Sequence, residues 1–154
     1  MPEAKWVCCG LDDTETLKSL GVFDVVVSNP PYGNVQSMAK TKAPRYKGEL
    51  AHLKAIDIAS NMANYGVFLI PQADAGFKIS NVLCYSEHHS EAYLKFHNET
   101  GIELAVGCGI DTSVYPQFKN AKITTEIAVS HFPVEHTFAD ADAYAEDVQL
   151  LLSF

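Results

Sequence analysis

FDVVVSNPPYG, residues Phe23 to Gly33, is the stretch whose reading decides the fold. Three consecutive valines behind Phe23 predict a β-strand ending at Ser28. Such a continuous apolar run predicts burial on both faces, as in a parallel sheet covered by helices. The strand delivers Asn29-Pro30-Pro31-Tyr32 into a loop. Two prolines fix φ and stiffen that turn, holding an amide and an aromatic ring in a set relation. An amide oxygen accepts hydrogen bonds from an amine. A tyrosine ring stacks on a planar base. In open α/β sheets, ligands bind at the carboxyl ends of strands.

Outward from this stretch, strands and helices alternate. Lys5 to Cys9 reads as a short strand, with Cys8 and Cys9 as buried thiols on opposite faces. Asp12 to Leu20 reads as a helix capped by Asp13 or Thr14 and ended by Gly21. Pro30, Pro31, Gly33, Pro44 and Gly48 mark residues 29–48 as a long loop. Glu49 to Tyr65 is helical by its apolar side, with Gly66 as its stop. Val67 to Ile70 is the next strand. Ser86 is expected to cap a helix to Thr100, ended by Gly101. Ile102 to Val106 and Ile123 to Phe132 are further strands. The second alternates, as a half-exposed or edge strand does. Ala141, Tyr144, Val148 and Leu151 form a stripe on an acidic C-terminal helix over 138–154.

The chain has 154 residues, 47% hydrophobic and 19% charged, enough apolar material for one domain over 1–154. Eleven basic against nineteen acidic residues give −8, which excludes a global basic footprint for nucleic acid. Lys40, Lys42, Arg45 and Lys47 are nevertheless concentrated just after the NPPYG turn, where phosphate contacts would be useful. No apolar run reaches the roughly 18 residues of a membrane span. The first residues lack the pattern of a signal peptide, and the four cysteines make no CxxC pair or regular framework. A cytoplasmic location with reduced thiols is the expectation. Cys84, His88, His89 and His97 lack metal-ligand spacing, so no metal is expected.

With these residues in place, the chain resembles class I S-adenosylmethionine-dependent methyltransferases, and within them the N6-adenine-specific DNA methyltransferases, whose signature is (D/N/S)PP(Y/F). Asn29-Pro30-Pro31-Tyr32 matches all four positions. The resemblance implies a Rossmann-like three-layer α/β sandwich, with a mainly parallel sheet and one antiparallel strand. It implies that Asn29 and the Pro30 carbonyl grip the target amine beside the cofactor, that Pro31 shapes the turn, and that Tyr32 stacks on an extruded adenine in DNA. It places Asp12 or Asp13 near the adenine of S-adenosylmethionine.

The likeness covers about Lys5 to Phe132 and departs in one respect. The family's first strand carries a glycine-rich cofactor loop, and the nearest match here, Gly107-Cys108-Gly109, comes late and without a following helix. The first strands of the fold are therefore expected to be missing, leaving one edge of the FDVVVS strand open. Another copy, another chain carrying the N-terminal half, or residues 1–10 would cover it. Alternatives to DNA methylation are methylation of a protein glutamine amide, and an inactive remnant or one half of a split enzyme.

Overall fold

The computed structural model describes residues 4–110 and 123–132. The acidic helix expected over 138–154 lies outside them. No described helix is long and apolar enough to cross a membrane.

The FDVVVS run forms β1 (Phe23–Ser28), as its β-branched residues favour. It pairs in parallel with β2 (Ala63–Pro71), with Val25 beside Tyr65 and Val27 beside Val67. A parallel pair needs a crossover, supplied by the long loop and α2 (Ala51–Ala59). β6 (Thr125–His131) lies antiparallel to β2 on one side and to β5 (Ala105–Gly109) on the other. The sheet order is β1-β2-β6-β5. Counted by hydrogen-bonded pairs, this α/β sheet is mixed and mostly antiparallel, not mainly parallel. The cause is position: one reversed strand inserted between two others makes both of its pairings antiparallel. β6 is thus an interior strand rather than the edge strand its alternation suggested.

The remaining elements are α1 (Thr14–Ser19), α3 (Glu91–Thr100) and a hairpin of β3 (Gly76–Lys78) with β4 (Ser86–His88). Every residue of α2 is buried, because its two apolar stripes face different neighbours. Leu53, Ile56 and Ala59 join Val26, Phe68, Ile70 and Ala128 of the sheet, together with Tyr93 and Phe96 of α3. Ala51, Ala55 and Ile58 join Leu11, Leu17 and Leu20 around α1.

One face of the sheet is therefore covered. The opposite face carries Val25, Val27 and Tyr65, each about half exposed at 49%, 52% and 51%. No described helix packs there, so within the described residues the three-layer arrangement and the two-sided burial of β1 are not met. β1 also ends the sheet, leaving its outer edge unpaired among the described strands. Residues 4–10 form no strand and do not pair with that edge; Val7 and Cys9 instead pack against the α1–α2 cluster. Cys8, Cys84 and Cys108 are exposed and all four thiols are free, so Cys8 is not the buried thiol expected.

Three element boundaries shift for local reasons. α2 ends near Ala59, because Met62 already offers its carbonyl to the Phe23 amide at 2.8 Å and opens the β-ladder. Gly66 does not stop a helix. It sits within β2, where a Cβ would collide with the rings of Phe68 and Phe132. Ser86 enters the β3–β4 hairpin, and Ser90 caps α3 instead, its hydroxyl accepting from the Tyr93 amide at 3.1 Å. Gly101 ends α3 as expected, at φ 69°. The strand expected over Ile102–Val106 begins at Ala105; Ile102 and Leu104 are core residues just before it.

Candidate functional site

The NPPY turn leaves the carboxyl end of β1, beside the carboxyl end of the parallel strand β2. Pro30 is fully buried and anchors the turn, Pro31 and Tyr32 are half-buried, and Asn29 is exposed. The Tyr32 hydroxyl donates to Asn29 Oδ1 at 3.0 Å. This bond leaves that oxygen a second lone pair. Burial pushes the Tyr32 phenol above its ordinary value, keeping the donor protonated at neutral pH. Gly33 follows at φ 73°, a left-handed geometry that favours glycine. Its carbonyl accepts from the Ala51 amide at 2.8 Å, joining the turn to the start of α2. Ser28 Oγ, immediately before the motif, is buried without a hydrogen-bond partner among the described residues.

Beneath the turn lies His52, fully buried in the first turn of α2. The Gly33 amide donates to its Nδ1 at 3.4 Å, and its Nε2 is 3.1 Å from Asp74 Oδ2. Since the amide must donate, the bonding assigns the ring proton to Nε2 and the acceptor role to Nδ1. The Tyr32 and His52 rings meet edge to face, 6.3 Å apart at 87°. Asp74 belongs to a short 3-10 turn, Gln72–Asp74, directly after β2, and also accepts from the Ser90 hydroxyl at 3.4 Å.

That 3-10 turn is itself fastened by Glu126, a fully buried carboxylate on β6. Glu126 accepts from Gln72 Nε2, the amides of Ile79 and Ser80, and the Ser80 hydroxyl, at 2.7–3.2 Å. Burial alone would raise its pKa, but these donors outweigh burial and hold it below the ordinary glutamate range.

The other residues expected in the site are placed differently. Asp13 caps α1, its carboxylate taking the Thr16 amide at 3.1 Å and the Thr16 hydroxyl at 2.6 Å. Those bonds hold the Asp13 carboxyl below its ordinary value and commit it to the helix. Asp12 is exposed in the turn before α1. Gly107 and Gly109 lie within β5, so neither belongs to a loop.

All four residues of the basic cluster, Lys40, Lys42, Arg45 and Lys47, are exposed. Arg45 is committed inward: its Nε donates to buried Asp57 at 2.8 Å, with further bonds to Ser60 Oγ and the Thr100 carbonyl. The guanidinium is thus held by α2 and the end of α3, while its side chain remains 41% exposed. His89 and His97 stack on Tyr93, and no group of three or more ligand-type residues gathers for a metal among the described residues.

His52, Asp74 and Glu126 were not singled out in the sequence. The available signal was a histidine inside an apolar helix, AHLKAIDIA, which demands a buried partner. No protein-family model, curated protein or solved structure matches the chain.

Proposed function

We propose that residues 4–132 form the amine-holding part of an S-adenosylmethionine-dependent methyltransferase acting on adenine N6 in DNA. The observation that carries this reading is the bond from the Tyr32 hydroxyl to Asn29 Oδ1 on a proline-stiffened turn at the carboxyl end of a parallel strand. An exocyclic amine donates one N–H to the free lone pair of Asn29 Oδ1 and the other to the Pro30 carbonyl. Both bonds draw protons away from the nitrogen and leave its lone pair directed outward. Tyr32 offers the face on which the base rests. When bound, S-adenosylmethionine supplies the methyl group.

The described residues do not build a cradle for that cofactor. Asp13 is a helix cap, and the only Gly-x-Gly lies inside a strand. The cofactor loop therefore belongs to polypeptide outside the described residues, on a strand seated against the open edge of β1. The bare edge and the half-exposed valines beside it support that placement. Lys40, Lys42 and Lys47, exposed on the loop that follows the turn, would meet the phosphates.

The test is a binding comparison with the isolated chain. A single-stranded oligonucleotide containing adenine is expected to bind, and a glutamine-containing peptide is not. Peptide binding without oligonucleotide binding would move the assignment to protein glutamine methylation. Binding of neither would leave an inert remnant.

A further inference from the structure

We infer that His52 and Asp74 are positioning residues: a buried two-residue strut that sets the NPPY turn of β1 against the loop after β2. The inference rests on the amine-holding reading of Asn29 and Tyr32 for its functional half, and on geometry alone for its structural half.

His52 is the first polar residue of α2 and has no exposed surface. A histidine buried so completely must satisfy both ring nitrogens within the protein. One of its partners is the backbone amide of Gly33, the residue after Tyr32. The other is the carboxylate of Asp74, the last residue of the turn after β2. The ring therefore spans the carboxyl ends of the two parallel strands. Its third contact, edge to face, is the ring of Tyr32 itself.

Each end of the strut is fixed independently. Asp74 is held by Ser90 and sits on the turn that Gln72 ties to Glu126. Gly33 is held by Ala51. The carboxylate fixes the proton on Nε2, which leaves Nδ1 free to accept. Loss of Asp74 removes that acceptor and leaves the Gly33 amide alone to set the tautomer; a ring protonated on Nδ1 would turn a donor against the Gly33 donor. The identity of the residue at 74 thus reaches Tyr32 through His52. Residues that support a site in this way often change its performance about 10–100-fold without touching the ligand.

The experiment uses the full chain and the variants His52→Ala, His52→Asn and Asp74→Ala. It has two separate readouts. The first is hydrogen-exchange protection of the Gly33 amide, with the nitrogen-15 shifts of the His52 ring. Wild type should show Gly33 protected and the ring proton on Nε2. His52→Ala should lose the protection, Asp74→Ala should weaken it and let part of the ring population carry its proton on Nδ1, and His52→Asn, which keeps an acceptor near Nδ1, should restore protection.

The second readout is affinity for an adenine oligonucleotide, expected to fall about tenfold in His52→Ala and Asp74→Ala and to recover at least partly in His52→Asn. A Gly33 amide that exchanges freely in wild type, or protection unchanged in His52→Ala, overturns the strut. Protection that follows these expectations while wild type binds no oligonucleotide overturns the amine-holding reading and leaves the strut standing. Should His52→Ala fail to fold, Asp74→Ala and the wild-type ring shifts decide the outcome.

Discussion

The Tyr32 hydroxyl donates to Asn29 Oδ1 across 3.0 Å, so the two polar tips of the NPPY turn are tied to each other rather than to the body of the protein. The aromatic ring and the amide oxygen move as one unit on a backbone held by Pro30 and Gly33. Substitutions at Tyr32 should therefore separate two roles. Tyr32→Phe keeps the ring and loses the bond that orients Asn29. Its affinity for an adenine oligonucleotide should fall by about tenfold or less, in line with one hydrogen bond of about 1 kcal/mol. Tyr32→Ala also loses stacking, about 1–3 kcal/mol per base, and should be the weaker of the two by titration. Equal affinities would contradict the stacking role.

Glu126→Gln should destabilise the protein by about 2–4 kcal/mol, because an amide nitrogen is brought against donors that need an acceptor. The pH dependence has a definite sign. Folded Glu126 titrates below its unfolded value of about 4.3. Its contribution is therefore complete above that value and is lost as pH falls through the lower folded value. Urea midpoints between pH 6 and 3 should show the gap between wild type and Glu126→Gln narrowing as acid is added. A constant gap would mean the carboxylate gains nothing from folding.

Asp57→Ala should cost about 3–5 kcal/mol, since it strips Arg45 of its buried partner and leaves the Arg45 and Tyr46 amides without acceptors. Thermal unfolding checks this. Lys42→Ala, on the same loop but exposed, should leave stability within about 0.5 kcal/mol. The contrast distinguishes the structural cation of this loop from its solvent-facing ones.

An apolar edge that no described strand pairs, beside a sheet face that no described helix covers, is a site of association. The isolated chain should sediment above its 16.9 kDa monomer mass at high concentration, and Val25→Lys with Val27→Lys should return it to that mass without unfolding. A wild-type monomer whose β1 amides exchange freely would show that the edge needs no partner.

Much of this arrangement is written in local pattern. Three valines and two prolines mark β1 and its turn, and Asp13 and Gly101 mark helix ends that the structure keeps. Other features depend on contacts distant in the chain. The buried role of Glu126 rests on donors from residues 72–80, so the alternation of this strand does not reveal that Glu126, Ala128 and Ser130 face the core. Gly66 reads as a helix stop until Phe132 is placed beside it. Arg45 reads as a surface cation until Asp57, twelve residues on, turns toward it. His52 needed Asp74, which lies beyond a whole strand, before its place under the turn could be seen.

The most direct measurement compares oligonucleotides that carry adenine or purine, the same base without its exocyclic amine, at one position. Wild type should favour adenine by about tenfold or more, since purine forgoes both hydrogen bonds of the amine at about 1 kcal/mol each. Asn29→Ala should lose most of that preference, keeping only the share that the Pro30 carbonyl supplies, with unchanged thermal stability. A wild-type protein indifferent to the amine, or an adenine preference undiminished in Asn29→Ala, would contradict the assignment of this turn as an amine-holding site.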